Sequence, residues 1–191
     1  AETRSRLYCA SMNQPAEDDQ CARLSCNALP SISLQSSRGG IVDLGTLIVP
    51  RTVIYCYPRT SEPGKPAPTG WDVIPGARGC TSQACTFRDH HKELMELRAE
   101  VFGLSTQPTS YQAEMAERLH LPFAILSDEH LKFTEALGLP SFEADGMRLL
   151  KRLTIIARGN RIQAVFYPVP QPEQSAEAVV TWLKINPLPS P

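Results

Sequence analysis

Long apolar runs are missing from this sequence of 191 residues. None approaches the roughly 20 consecutive apolar residues that span a bilayer, and residues 1–6 lack the apolar core of a signal peptide. A net charge of -1 gives no reason to expect nucleic acid or an acidic membrane as a partner. We therefore expect a cytoplasmic protein that binds neither nucleic acid nor a membrane.

Cysteine is absent after position 85, and this limits the metal chemistry that the chain offers. Zinc sites usually take cysteines two to four residues apart, with a second pair of cysteines or histidines downstream. A metal site built from Cys80, Cys85, His90 and His91 is therefore the weakest alternative, and we expect no bound metal or cofactor. In a cytoplasmic chain, the six cysteines are more consistent with reduced or catalytic thiols than with a disulfide framework.

The length of the chain fits one well-packed domain and is short for two. We expect an N-terminal extension at 1–28, one domain at 29–186 and a C-terminal tail at 187–191. The 17 prolines cluster in a predicted inserted loop at 58–75 and in 168–191. A loop as long as 58–75 is uncommon in a compact domain and often functional.

The stretch 75–91 organises the rest of the chain, because it places two cysteines where a loop turns into a helix. Gly76 and Gly79 allow a tight backbone path, and a helical pattern begins at about Thr81. Its apolar positions are Phe87, Leu94, Leu97 and Val101. Cys80 therefore lies at or just before a helix N-terminus, where unpaired N–H groups and the helix dipole favour a thiolate. We predict that Cys80 is a nucleophile.

Cys85 follows Cys80 by about one and a half helical turns, so the two Cα atoms of an intact helix are roughly 8 Å apart. This exceeds the roughly 7 Å limit for a disulfide, and a bond between them requires the first turn or two to unwind. The alternative is that one or both are ordinary buried thiols, although two cysteines at a glycine-flanked helix start favour thiol chemistry. Cys21 and Cys26 have the same spacing without a preceding glycine or strand, and we interpret them as incidental or as a secondary redox site.

Alternating strands and helices, followed by a hairpin and a last helix, predict an α/β fold with a mixed sheet. Two short alternating runs around Gly39 and Gly40 indicate an N-terminal hairpin. The run Thr52–Tyr57 has the β-branched and aromatic composition of a central buried strand, with Cys56 as a core residue. The other predicted elements are strands at 100–106, 123–128, 149–157 and 161–168, and helices at about 15–25, 109–120, 129–138 and 175–185. We expect Ser127 or Asp128 to cap the helix 129–138. In the last helix, the residues expected to face inward are Ala178, Val179, Trp182 and Leu183.

These residues resemble a known family, the peroxiredoxins of the bacterioferritin comigratory protein type, also called the Q type. The resemblance covers about residues 29–185. The matching segments are Tyr55-Cys56-Tyr57-Pro58, Gly79-Cys80-Thr81-x-Gln83-Ala84-Cys85-x-x-Arg88-Asp89, Phe102-Gly103-Leu104-Ser105 and Leu126-Ser127-Asp128. The resemblance implies a thioredoxin-like fold and the reduction of hydrogen peroxide or organic hydroperoxides.

The resemblance also implies roles for individual residues. Cys80 would be the peroxidatic cysteine that is oxidised to sulfenic acid, and Cys85 the resolving cysteine that forms an intramolecular disulfide with it. A thioredoxin-like or glutaredoxin-like reductant would then restore both thiols. Arg152, at the start of a late strand, would stabilise the thiolate and polarise the peroxide. From the residues alone, a solvated charge at a strand end is the alternative interpretation of Arg152.

Two positions depart from the family pattern, which has a proline seven residues and a threonine or serine three residues before the nucleophile. Here these positions are Val73 and Ala77, and alanine has no hydroxyl to bond the peroxide oxygens. Either the activity is weakened or an insertion after Pro58 supplies a substitute, in which case Thr60 is the candidate hydroxyl. Arg78 is a further candidate for assisting the thiolate, with a solvent-facing loop charge as the alternative.

We therefore expect a single-domain peroxiredoxin with a peroxide substrate. We expect a monomer, with a homodimer as the alternative. A thiol-disulfide oxidoreductase is the enzymatic alternative, although such enzymes normally place their cysteines two residues apart. A non-catalytic thioredoxin-like redox sensor or binding protein is the alternative from another class, and Ala77 is the residue that favours it.

Overall fold

The computed structural model describes residues 23–24, 27–61 and 63–190. Its strands are β1 (Ser33–Ser36), β2 (Ile41–Asp43), β3 (Arg51–Cys56), β4 (Ala99–Ser105), β5 (Ala124–Ser127), β6 (Ser141–Ala144), β7 (Met147–Leu150), β8 (Leu153–Arg158) and β9 (Arg161–Phe166). Its helices are α1 (Cys80–Asp89), α2 (His91–Glu96), α3 (Thr109–Arg118), α4 (Lys132–Leu137) and α5 (Ser175–Ile185). Two short 3-10 helices lie at Trp71–Val73 and Pro172–Gln174. The predicted helix at about 15–25 lies almost entirely outside the described residues, as do Cys21 and Cys26.

A seven-stranded mixed sheet forms the centre of the described chain, in the order β2-β1-β5-β4-β3-β8-β9. β3 runs parallel to β4 and antiparallel to β8, and all six of its residues are buried. This confirms the predicted central strand. Gly103 of β4 lies opposite Tyr55, and a Cβ at Gly103 would lie 2.9 Å from the Tyr55 ring. Only glycine therefore leaves room for this tyrosine.

The two faces of the sheet carry separate apolar layers, because successive strand residues point to opposite sides. On one face, Ile54 packs in a cluster with Phe133 of α4. On the other face, Val53 and Tyr55 pack with residues of α1, α3 and α5. The members of this second layer from α1 and α5 are Cys80, Ala84, Phe87, Ala176, Val179, Val180 and Leu183. The sheet therefore holds α1 and α5 side by side, with Cys80 at the sheet-facing start of α1.

Several predicted elements are confirmed, and the α/β fold with a mixed sheet and an N-terminal hairpin is among them. The last helix has the predicted bounds, but Ala178 is exposed, and the buried positions include Ala176 and Val180 instead. Asp128 does cap a helix, since its carboxylate accepts hydrogen bonds from the backbone N–H groups of Phe133 and Thr134. The regular helix begins only at Lys132, three residues later than predicted.

The helical pattern predicted from about Thr81 is confirmed as far as Leu94 in α2 and is wrong at Val101, which the predicted strand at 100–106 also contained. α1 ends at Asp89, α2 ends at Glu96, and Val101 lies in the middle of β4. The strand expected at 149–157 is also two strands, because β7 pairs with β6 in a separate hairpin. The turn of that hairpin is Asp145-Gly146, in which both residues have a positive φ.

The proline-rich segment packs against this β6–β7 hairpin. Trp71 is buried, and its ring lies 6.3 Å from the ring of Phe142. Ala77 and Leu149 belong to the same small apolar cluster. The proline-rich segment that leads to Cys80 is therefore held in place by this small apolar cluster. Among the described residues, no helix has both the length and the apolar character that crossing a bilayer requires.

Candidate active site

Cys80 is the first residue of α1, as predicted. Gly79 precedes it with a φ of 99°, a left-handed conformation that favours glycine. A Cβ at Gly79 would also lie 2.8 Å from Cγ of Pro172. Both backbone conformation and packing therefore require glycine immediately before the cysteine.

The sulfur of Cys80 lies between one donor and one acceptor. Nη2 of Arg152 donates to Sγ at 3.2 Å, and the thiol itself donates to the carbonyl of Ala77 at 3.8 Å. Cys80 is only 6% exposed. The sequence predicted these two side chains as partners, and the structure brings them into contact across 72 residues of chain.

Arg152 precedes β8 and is only 3% exposed, so it is not a solvated charge at a strand end. Its Nη2 also donates to the carbonyls of Gly76 at 3.2 Å and Arg78 at 2.9 Å. Its Nη1 donates to Oε1 of Gln83 at 2.5 Å. Its Nε–H is buried and has no hydrogen-bond partner in the described part of the chain. The guanidinium therefore holds the loop, the helix and the cysteine together, and its Nε–H is not used in doing so.

Gln83 is a site residue that the sequence analysis did not single out, although it belongs to the matching motif. It is fully buried and lies three residues after Cys80, on the same face of α1. Its Nε2 donates to Oγ of Ser175 at 3.1 Å. No sequence signal indicated Ser175, which is 92 residues away.

Cys85 lies in α1 and is half-buried with a free thiol. The helix is continuous from Cys80 to Asp89, so the separation expected for an intact helix applies. Cys56 is also free and fully buried in β3. Burial raises the pKa of the Cys56 thiol, and nearby Asp128 adds to the effect, which keeps this core cysteine protonated and unreactive.

Thr60 is buried at the beginning of the proline-rich segment and pairs with Gln107. Its N–H donates to Oε1 of Gln107 at 2.9 Å, and Nε2 of Gln107 donates to its carbonyl at 2.9 Å. The hydroxyl lies 3.5 Å from the same Oε1, a long contact. Among the described residues, no hydrogen bond joins Thr60 to Cys80 or Arg152. The role of Thr60 stays a prediction.

The side chain of Arg78 faces solvent and pairs with Asp72 at 2.6 Å, which agrees with the alternative interpretation. Only its backbone carbonyl takes part in the site. The groups proposed as metal ligands do not gather: the described residues contain no cluster of three or more His, Cys, Asp or Glu side chains that could hold an ion.

Tyr55 lies beneath the site and stacks on Phe87 with ring centroids 4.6 Å apart. Its hydroxyl is buried and has no hydrogen-bond partner within the described ranges. Burial raises the pKa of Tyr55 well above its usual value, and neighbouring Tyr57, Cys80 and Cys85 add to this. The tyrosine is therefore neutral at physiological pH.

A family model described as Redoxin matches residues 25–180. The chain is 27% identical over 157 residues to Peroxiredoxin Q, chloroplastic, of Arabidopsis thaliana, which covers 82% of this chain and 65% of that protein. It is 28% identical over 155 residues to the protein of the same name from Sedum lineare, with 81% and 75% covered. The chain thus spans less than two thirds of the Arabidopsis protein.

Solved structures with the same fold include the peroxidoxin BcpB of Mycobacterium tuberculosis, with a TM-score of 0.68 and 24% identity, covering 84% of this chain and 96% of that one. Peroxiredoxin Q of Xanthomonas campestris gives a TM-score of 0.67 and 20% identity, with 85% and 98% covered. These identities are low, but the similarity in structure confirms the thioredoxin-like fold that the sequence predicted.

Proposed function

Because the chain belongs to the Redoxin family and its predicted resemblance to Q-type peroxiredoxins is confirmed, we propose that it is a thiol-dependent peroxidase. Its substrates are hydrogen peroxide and organic hydroperoxides. The observation that carries the proposal is the contact of 3.2 Å between Nη2 of Arg152 and Sγ of Cys80. A buried guanidinium at the start of a helix favours a thiolate, the form that attacks peroxides.

In the first step, the Cys80 thiolate attacks one peroxide oxygen and the O–O bond breaks. The sulfur becomes a sulfenic acid, and the leaving oxygen takes up a proton as water or an alcohol. The free Nε–H of Arg152 supports its role in polarising the peroxide, since it is a buried donor without a partner among the described residues.

In the second step, the Cys85 thiol attacks the sulfenic sulfur, a disulfide forms and water leaves. Because α1 is continuous between the two cysteines, the first turn or two must unwind before the sulfur atoms meet. An external dithiol of the thioredoxin or glutaredoxin type then reduces the disulfide by thiol exchange.

The missing hydroxyl at Ala77 needs a substitute, and we propose Thr60 for this role. Its hydroxyl makes only one long contact, while its backbone is held firmly by Gln107. A buried threonine with a loosely engaged O–H is able to donate to a peroxide oxygen.

The second candidate function is a redox sensor, which is oxidised once and does not turn over. The specific observation that favours it is Ala77, which is buried in an apolar cluster and offers no hydroxyl. A thiol-disulfide oxidoreductase is less favoured, because the two cysteines of α1 lie five residues apart rather than two.

Location and assembly are further parts of the proposal. We propose a cytoplasmic monomer; the plant relatives are named chloroplastic, which describes those proteins. One protein of similar structure, the bacterioferritin comigratory protein of Xanthomonas campestris, has alkyl peroxide reduction activity. Its TM-score is 0.66 at 20% identity, and by analogy with it we include alkyl hydroperoxides among the substrates.

The decisive experiment is stopped-flow reaction of the reduced protein with substoichiometric hydrogen peroxide, followed by mass mapping of disulfides. A fast reaction that yields a bond between Cys80 and Cys85 supports the peroxidase. Reaction at the rate of an ordinary thiol, or a bond to Cys21 or Cys26 instead, favours the sensor. Cys56→Ser is the matched control, because this buried thiol takes no part in the proposed cycle.

A further inference from the structure

The 3-10 helix Pro172–Gln174 and the first residue of α5 contact the beginning of α1 at two points. Cγ of Pro172 lies against Gly79, and Oγ of Ser175 accepts a hydrogen bond from Nε2 of Gln83 at 3.1 Å. Ser175 is 6% exposed and Gln83 is fully buried. The side-chain nitrogen of Gln83 is therefore held by a residue of another helix, α5.

The hydrogen-bonding chemistry of the three side chains fixes the orientation of the Gln83 amide. Arginine is a donor only, so Gln83 must present Oε1 to Arg152, and it does so at 2.5 Å. Its Nε2 then points away and needs an acceptor inside a buried site, where an unpaired donor is costly. The hydroxyl of Ser175 supplies that acceptor.

The position of α5 is fixed at its C-terminal end as well as at Ser175. The buried Arg51 of β3 donates to the carbonyl of Leu183 at 3.4 Å and to that of Asn186. Lys184 pairs with Glu93 of α2 at 2.5 Å. The helix is thus tied to the sheet and to the helix that follows α1.

We propose that Ser175 is a positioning residue for the peroxide reaction: it holds Gln83, which holds Arg152 against Cys80. The inference rests on the proposed function, and it carries a second consequence. Gln83 lies in the part of α1 that unwinds before Cys85 attacks, so the Gln83–Ser175 bond breaks during that step. Ser175 therefore accelerates the oxidation of Cys80 and slows the formation of the disulfide.

The test compares Ser175→Ala with Ser82→Ala in single-turnover stopped flow with hydrogen peroxide. Ser82 is the matched control, because it is exposed in the same helical turn and its hydroxyl donates to the carbonyl of Gly79 at 3.0 Å. For Ser175→Ala we expect the oxidation step to be about tenfold slower, the effect of losing about one buried hydrogen bond, and the disulfide step to be faster. Ser82→Ala changes neither step. Opposite signs in the two steps distinguish positioning from general loosening of the fold.

A double-mutant cycle with Gln83→Ala tests the route of the effect. If Ser175 acts through Gln83, Ser175→Ala has no further effect on the oxidation step once Gln83 is alanine. Additive losses, or a Ser175→Ala oxidation rate within about twofold of wild type, overturn the inference. Ser175→Thr keeps the hydroxyl, and we expect wild-type rates for both the oxidation step and the disulfide step. Should Ser175→Ala not fold, the threonine variant decides: an oxidation step that is about tenfold slower than in wild type overturns the inference.

A readout that does not depend on turnover separates this inference from the proposed function. If the wild-type protein reacts with peroxide no faster than an ordinary thiol, the peroxidase assignment fails. The thiolate absorbance of Cys80, followed through a pH titration as the difference from Cys80→Ser, still reports on Arg152. A smaller difference in Ser175→Ala than in wild type supports the positioning role, and an equal difference overturns it.

Discussion

Nη2 of Arg152 lies 3.2 Å from Sγ of Cys80, and the other acceptors of this guanidinium are all uncharged. They are the carbonyls of Gly76 and Arg78 and the amide oxygen of Gln83. No carboxylate pairs with Arg152 among the described residues. A buried cation that lacks an anion is unfavourable, and of the side chains in contact with it only Cys80 is able to become one. Cys80 is therefore the one side chain in contact with Arg152 that is able to form an ion pair with it.

Arg152→Ala is expected to slow the oxidation of Cys80 by about 10²- to 10³-fold, the usual effect of removing one preorganised electrostatic donor. Arg152→Lys restores only part of the rate, because an ammonium group has three N–H donors for the four acceptors of Arg152 and lacks its planar fork. The measurement is the second-order rate constant with hydrogen peroxide at neutral pH. Arg158→Ala, at the exposed end of β8, is the control and keeps the wild-type rate. A lysine variant as fast as wild type would show that charge alone suffices.

Cys85→Ser is expected to leave the first reaction with peroxide unchanged and to stop the cycle at the sulfenic acid. Without a resolving thiol, excess peroxide then converts Cys80 to sulfinic acid, and intact-protein mass spectrometry detects the added oxygen atoms. Cys80→Ser removes the first reaction altogether. Equal loss of that first reaction in both variants would contradict the two roles.

Thr60→Val is expected to slow the oxidation of Cys80 several-fold, since the proposed substitute for the hydroxyl at position 77 is lost. The free energy of unfolding changes little, because the two backbone bonds to Gln107 remain. Thr60→Ser keeps the hydroxyl and the rate. Unchanged kinetics in the valine variant, measured beside the serine variant, would remove Thr60 from the site.

The elements predicted correctly are those whose signal is local. The glycine pair of the N-terminal hairpin, the β-branched run of β3 and the apolar spacing of α5 each lie within about ten residues, as does the glycine before Cys80. Val101 was counted in a helical pattern because its spacing from Leu97 fits one, and it also fell in the predicted strand at 100–106. Pairing with β3 places it in the strand. Tertiary pairing overrides periodicity in such short segments.

The parts of the site that the sequence did not indicate depend on contacts between distant segments. Gln83 has no chemistry of its own that would single it out, and its role appears only when Arg152 and Ser175 meet its two ends. The Asp145-Gly146 turn was a local signal for the β6–β7 hairpin that the sequence analysis missed. Local sequence patterns do not predict the packing of the proline-rich segment on that hairpin, because the contact joins residues that are far apart in the sequence, such as Trp71 and Phe142.

The two buried tyrosines, Tyr55 and Tyr57, are expected to make the free energy of unfolding fall at alkaline pH. Burial raises the pKa of Tyr55 and of Tyr57 above the usual value of 10.0. In the unfolded chain both ionise near pH ~10, whereas in the fold they stay protonated, so above that pH the unfolded state binds fewer protons. The free energy of unfolding is therefore constant from this source below pH ~10 and falls above it, by up to ~1.4 kcal/mol per pH unit for each tyrosine.

Urea unfolding at several pH values between about 9 and 11.5 measures this slope in Tyr55→Phe, with Tyr111→Phe at a half-buried position as the control. The Tyr55 variant is expected to lose less stability as the pH rises, whereas the Tyr111 variant follows wild type. Cys56, whose pKa burial also raises, contributes equally to every variant, and the difference between variants isolates Tyr55. At neutral pH, Tyr55→Phe is expected to be at least as stable as wild type, because its hydroxyl has no partner among the described residues. An identical slope in the two variants would mean that the hydroxyl of Tyr55 reaches solvent or a bonding partner.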